Sequence, residues 1–244
     1  MKICFNIEKR IYKERVFKEL SKTDVANMLG VKVLDCSIVA FGISTIEYSV
    51  FADHHRYILI DFNPLKRDQE NYYLLLEEFK KYHKNFTIHD EHCIDLIEVT
   101  GYCSISELSE NGKLSLEQAE SFMDEVIKIH KNGFLHLGIT PYNVFFNENN
   151  CMLINNDSLV CKDNLENKNL KYISSNPFSA PEIKMKSGEN IMEQSDVYSV
   201  VILLKHFFDI DAKQLDVICK GQSLNIMKRY MNVQDLKSAF AEAV

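Results

Sequence analysis

One octapeptide of this chain brings several polar side chains together around a residue that has none. Residues His136–Asn143 read His-Leu-Gly-Ile-Thr-Pro-Tyr-Asn. Proton transfer and charge neutralisation need imidazole, carboxylate or amide groups at fixed spacing. Gly138 has no side chain and therefore neither gives nor takes a proton. The octapeptide therefore keeps polar residues at its two ends, His136 and Asn143, but lacks a proton-transferring side chain at position 138.

Three elements must position this loop. Ser115 and Gln118 form a capping-box pattern, and the apolar face that follows predicts a helix ending near Gly133. Turn-forming residues after the loop predict a small hairpin. Ser195 is the expected N-cap of a helix over Asp196–Phe208 that is apolar nearly all round, which is typical of a helix buried inside a globule.

The first hundred residues have a different texture. Residues 1–30 are charge-rich and form a predicted N-terminal extension with one or two short helices between Ile11 and Met28. A β-rich lobe over 31–100 and a mainly helical lobe over 101–244 follow. Asp68 begins a predicted helix reaching about His83. The predicted strands, rich in β-branched and aromatic residues, are Cys36–Phe41, Thr45–Phe51, Arg56–Phe62 and Cys93–Val99.

Bulk properties set limits on the function. A formal net charge of −7 argues against an obligatory nucleic-acid or anionic-membrane surface. No run of about 18 apolar residues is present, so no membrane span is expected. The seven cysteines are odd in number and none forms a Cys-x-x-Cys pair, which favours free thiols in a reducing cytoplasm.

Four motifs occur in the order and at the spacings of the protein-kinase family, which the chain resembles over roughly residues 31–244. The octapeptide resembles the catalytic loop H-R-D-L-x-x-x-N. Ser175–Glu182 resembles the end of an activation segment with its A-P-E. Ser195–Ser199 resembles the start of the central large-lobe helix, and Lys228–Tyr230 contains an Arg like the one that pairs with the A-P-E Glu. The resemblance implies an α+β, bilobal protein kinase-like fold.

The resemblance gives four residues a scaffold role. His136 and Asp196 would tie the catalytic loop to the core of the large lobe. Glu182 and Arg229 would form a partly buried ion pair, and breaking one side would cost about 3–5 kcal/mol.

The same resemblance indicates losses at the phosphate site. Gly138 stands where the family has the catalytic Asp, and Leu137 where it has Arg. Asp61 stands where the third strand should carry a Lys, and the first hairpin offers only Gly42 where a glycine-rich loop is expected. Asn156 stands where the family has the magnesium-binding Asp of D-F-G.

Remaining candidates for ligand binding are few. Asn143 matches the magnesium-binding Asn of the loop, and Asp157, next to Asn156, could retain weak metal affinity. Our expectation is that the protein binds no cofactor. The alternative is weak binding of ATP and magnesium, for which Asn143 and Asp157 are the candidate residues. Only a short segment separates Phe208 from the predicted helix Lys213–Lys220, so the docking helix that follows the central helix in the family is expected to be reduced or absent.

The sequence therefore predicts a pseudokinase, a catalytically inactive module that binds another protein, such as a kinase or a kinase regulator. Abundant Asn, Lys and Ile suggest an AT-rich genome and a viral or bacterial modulator of host signalling, placed in the cytoplasm (that of the host for a virus or a secreted effector). An enzyme of atypical chemistry on the same fold, such as nucleotidyl transfer, is the alternative. A third hypothesis is an unrelated helical protein with chance tripeptides.

Overall fold

A computed structural model of the protein describes residues 19–41, 45–62, 87–89, 92–154, 159–162, 176–185 and 191–243. The chain divides into two compact units between Thr100 and Gly101. The predicted helix over 68–83 lies outside the described residues, and so do Gly42, Asn156 and Asp157.

A five-stranded antiparallel sheet in the order β1-β2-β3-β5-β4 forms the first unit. Its strands are β1 (Val33–Phe41), β2 (Thr45–Ala52), β3 (His55–Phe62), β4 (Thr87–His89) and β5 (His92–Glu98). Asp53 and His54 have φ of 47° and 66°, which is the backbone of the tight two-residue turns that join twisted strands. The four predicted strands are confirmed.

Helix α1 (Lys22–Leu29) covers one face of this sheet. Ser21 and Asp24 form a capping box at its start, and Gly30 ends it with a φ of 65°. Val25 is fully buried in a cluster with Tyr48 and Leu59, and the Tyr48 hydroxyl accepts a hydrogen bond from the Leu20 backbone N–H at 3.0 Å. The end of the predicted N-terminal extension is therefore part of the core of the first unit.

The second unit is mainly helical. Its helices are α2 (Ile105–Leu108), α3 (Leu116–Lys131), α4 (Pro181–Lys184), α5 (Glu193–Phe207), α6 (Ala212–Gly221) and α7 (Val233–Glu242). Its short strands are β6 (Cys103–Ser104), β7 (Phe134–Leu135), β8 (Val144–Asn147), β9 (Asn150–Leu153) and β10 (Val160–Cys161). They form two small sheets, β6-β8-β9 and β10-β7. The predicted hairpin is the β8–β9 pair.

Helix α5 lies at the centre of this core, as its apolar circumference predicts. Val197, Val200 and Leu204 are fully buried in the same cluster as Phe122 of α3. One detail of the prediction is wrong: α5 begins at Glu193, so Ser195 lies inside the first turn and is not the N-cap. The Ser195 backbone N–H donates to the Met192 carbonyl at 2.8 Å, and the Ser195 hydroxyl accepts the Met192 N–H at 3.4 Å while donating to the Glu182 carboxylate at 2.7 Å, so Ser195 occupies the third position of the helix and Met192 is the N-cap.

The chain passes directly from α5 to α6 across residues 208–211. Gly221 at the end of α6 lies so close to α5 that a Cβ there would sit 2.6 Å from Cγ1 of Val201. Within residues 191–243, all of which are described, no further helix separates α5 from α6, so the predicted loss of the docking helix is confirmed.

Candidate functional site

The loop between β7 and β8 is fixed at its entry by Asp196 of α5. The carboxylate accepts the backbone N–H groups of His136 and Leu137, each at 2.8 Å. Asp196 is fully buried, so these bonds form where water does not compete. Because each of two consecutive backbone donors has its own carboxylate oxygen, the direction of the chain entering the loop is set.

A second histidine, which lies on the buried face of α3, completes this anchor. His130 of α3 is 2.9 Å from Asp196 through Nε2 and 3.3 Å from Glu193 Oε2 through Nδ1. Lys162 forms a short ion pair with Glu193 and donates to the His130 carbonyl at 2.7 Å. The missed signal was a histidine on an otherwise apolar helix stripe, where a buried polar group requires a partner.

These contacts set the charge state of Asp196. Burial alone would raise its pKa, but the hydrogen bond and the positive charge of His130, followed by His136, bring the pKa below the usual value for an aspartate. The folded protein therefore holds a carboxylate inside its core, and every contact just described favours the ionised form.

Leu137, at the position where the kinase loop has Arg, is fully buried. It packs in an apolar cluster, the Leu137 cluster, whose buried members are Leu135, Leu137, Val160, Ala180, Ile183 and Ile191. Its backbone has a φ of 58°, a left-handed conformation that costs a residue with a side chain roughly 1–2 kcal/mol. The strained residue Leu137 therefore contributes the apolar contacts that join the loop to Ile183 of α4.

Gly138 and Asn143 hold each other in place. The Asn143 side chain donates to the Gly138 carbonyl at 2.8 Å and accepts the Thr140 backbone N–H at 2.8 Å. The Gly138 N–H donates to Nδ1 of His136 at 3.2 Å. Asn143 is buried, and both the oxygen and the nitrogen of its side-chain amide are bonded to the loop, so the side chain holds the loop closed. Magnesium binding by Asn143 stays a prediction.

Glu182 and Arg229 form the ion pair that the resemblance implied. Nη1 and Nη2 of Arg229 reach the two carboxylate oxygens at 2.7 and 3.0 Å. The guanidinium also donates to the carbonyls of Gln194 and Ser223, at 3.0 and 2.8 Å. Burial would raise the pKa of Glu182, but the bonds from Arg229 and Ser195 lower it below its ordinary value.

Asp61 lies in the first unit, in β3, opposite Ile46 of β2 and Ile94 of β5. It is fully buried. The strand position that the resemblance compared with a lysine thus holds an interior carboxylate among apolar cross-strand neighbours. That Asp61 replaces the nucleotide-binding lysine stays a prediction.

Two further observations concern metal ions and membranes. In the described part of the chain, no group of three or more His, Cys, Asp and Glu side chains is placed to hold a metal ion. Among the helices that the structure describes, none combines the length and apolar character needed to cross a membrane.

The structure is similar to that of the Mycobacterium tuberculosis PknI kinase domain, with a TM-score of 0.56 over 88% of this chain and 96% of that domain. The two sequences are 13% identical, so the likeness is one of fold. No protein-family model and no curated protein matches the sequence. The chain has a protein kinase-like fold, as the sequence predicted.

Proposed function

We propose that this protein is a pseudokinase that acts by binding another protein. The observation that carries the proposal is Gly138, a residue without a side chain inside a loop whose anchors to Asp196 are complete. Kinase chemistry needs a carboxylate at this position to take the proton of the substrate hydroxyl. General-base catalysis commonly contributes about 10²- to 10⁴-fold to a rate.

The surroundings of Leu137 support the same proposal. Kinase activation segments are commonly ordered by a new bond between an Arg and a phosphorylated residue. Here Leu137 contacts the apolar side of α4 through Ala180 and Ile183. The Leu137 side chain offers no cation to a phosphate, and its apolar contacts order the described residues around Ala180 and Ile183 without one. This arrangement supports a binding role in preference to an activity switched on by phosphorylation.

The partner that we propose is a kinase or a regulator of kinases, because a module with this fold can occupy the place of a kinase in a complex without catalysing its reaction. The cytoplasm is the proposed location, supported by the free thiols at the five described cysteines. The Asn-, Lys- and Ile-rich composition supports a viral or bacterial origin and a role in host signalling.

The test is a nucleotide panel on the purified full chain. Thermal unfolding and release of labelled phosphate are measured with ATP and GTP, each with Mg²⁺, with Mn²⁺ and without metal. We expect neither stoichiometric hydrolysis nor transfer. Co-purification from host cells, followed by reconstitution with the single purified partner, is expected to give a stoichiometric complex.

The variant Asp157→Asn distinguishes intrinsic activity from contamination. Magnesium-dependent hydrolysis that disappears in this variant would overturn the proposal in favour of the alternative, an enzyme of atypical chemistry. Hydrolysis that is equal in both proteins is followed through a further chromatography step: activity that separates from the protein comes from a contaminant, and activity that co-elutes with it would also overturn the proposal. The variant avoids Asn143, because removing the loop's own clamp would confuse lost folding with lost chemistry.

A further inference from the structure

The four most exposed large apolar side chains of the described residues all belong to the second unit. They are Met185, Leu224, Met227 and Met231, exposed by 72%, 79%, 68% and 58% respectively. Monomeric proteins rarely expose contiguous apolar surface without a function, and flexible methionines are frequent on surfaces that bind helices. We name these four residues the methionine patch.

Arg229 ties together the segments that carry the patch. It pairs with Glu182, three residues before Met185, and its Nε donates to the Ser223 carbonyl, next to Leu224. It also binds the carbonyl of Gln194, whose side chain contacts the Met231 sulfur at 3.6 Å. Since Arg229 is buried and makes all of these contacts, the segments around it form one rigid support.

The segment that carries three of the four residues, Leu224, Met227 and Met231, contains no acidic side chain. Residues 217–234 contain no Asp or Glu, whereas the chain has a net charge of −7. Lys184, Lys220 and Lys228 are exposed in the same segments. The Lys220 ammonium lies 4.1 Å from the ring centroid of Tyr230, which keeps this charge beside the patch. An apolar surface bordered by lysines complements an apolar stripe bordered by carboxylates.

The geometry points to one kind of occupant. We propose that the methionine patch binds an acidic amphipathic helix of the partner protein, with apolar residues at helical spacing packed on the methionines and carboxylates facing the lysines. Two copies of this chain joined patch to patch would bring their lysines together, which disfavours a symmetric dimer.

This inference rests on the proposed function and is tested with three synthetic peptides of about 18 residues, or five helical turns. The first has a leucine stripe and glutamates on its polar face, the second has lysines in place of the glutamates, and the third has the first composition without the stripe. Binding to the full chain is measured by calorimetry. We expect the acidic amphipathic peptide to bind at least tenfold more tightly than the other two, with a preference that falls as salt rises.

The double variant Leu224→Gln/Met227→Gln is expected to lose at least tenfold in affinity for that peptide. Val39→Thr, which changes an exposed apolar side chain in β1, is the matched control and should bind like the unchanged protein. Circular dichroism checks that both variants are folded.

Equal binding of all three peptides, or undiminished binding by the double variant, would overturn the inference. So would a dimer of the unchanged protein that the double variant abolishes, because the occupant would then be a second copy. Failure of this kind leaves the proposed function standing if the protein is inert toward nucleotides and still binds its partner. Nucleotide turnover would instead overturn the proposed function itself.

Discussion

Two sets of contacts hold the catalytic-loop region of the second unit, and they use opposite chemistry. Asp196 and the Glu182–Arg229 pair are buried charges with nearly every oxygen and N–H engaged. The Leu137 cluster, which joins the same loop to α4, contains no charge. We call Asp196 and the Glu182–Arg229 pair the polar anchors. Asp196 accepts two backbone N–H groups of the loop, and Arg229 donates to two backbone carbonyls. The Leu137 side chain, by contrast, is fully buried and contributes only apolar packing.

The largest expected effect is loss of one side of the ion pair. Arg229→Met would leave the Glu182 carboxylate buried without its cation, at a cost of about 3–5 kcal/mol in the free energy of unfolding. Urea denaturation followed by far-UV circular dichroism measures it, since the chain contains no tryptophan.

Lys237→Met is the matched control. It breaks the Lys237–Asp124 pair, which joins the same atom types at 2.7 Å but is partly exposed, and should cost no more than about 1 kcal/mol. Equal costs for the two variants would show that burial does not distinguish the polar anchors from surface pairs.

Asp196→Asn is expected to cost about 2–4 kcal/mol. One carboxylate oxygen becomes an amide that donates toward a backbone N–H or toward His130, so at least one buried donor loses its acceptor. The same denaturation measures the cost, and amide hydrogen exchange should rise first at His136 and Leu137. Exchange rising evenly over the second unit would contradict a local anchoring role.

Leu137→Ala tests the apolar side of the comparison and is expected to cost about 2–3 kcal/mol through the cavity that it leaves. Leu137→Met keeps the volume and should cost less than about 1.5 kcal/mol. Both variants unfold with the salt dependence of the unchanged protein, because no charge is altered. A change in salt dependence would show that the cluster is coupled to the polar anchors.

The smallest expected effect is the change in the pH dependence of stability. The pKa values of Asp196 and Glu182 are lowered by folding. Their stabilisation is therefore complete above the unfolded values near 4 and is lost as the pH falls through the lower folded values. Acid titrations should show weaker pH dependence in Arg229→Met, whereas Leu137→Ala should keep the slope of the unchanged protein. A weaker pH dependence of stability in Leu137→Ala would show that the Leu137 cluster and the buried carboxylates are energetically coupled.

Much of the fold could be predicted because its signals are local or have a fixed spacing. Ser115 with Gln118 marks the start of α3, and Glu182 with Arg229 follows from family spacing. A histidine on an apolar stripe indicates a buried polar group that requires a partner, but the partner, Asp196, lies 66 residues away and no sequence spacing identifies it. The N-cap at Ser195 was wrong because the helix begins at Glu193, where Met192 is the N-cap and Ser195 accepts its N–H from the third position. Packing of α1 on the sheet likewise depends on tertiary contacts.

The apolar surroundings of Leu137 limit which side chains this position can accept. Arginine here would place a guanidinium among Leu135, Ala180 and Ile183, none of which offers a counter-charge. Such a substitution alone would therefore destabilise the fold. If the protein is a pseudokinase, as we propose, the packing around Leu137 makes a stepwise gain of phosphoryl transfer unfavourable, because a carboxylate at position 138 would have to arise as well.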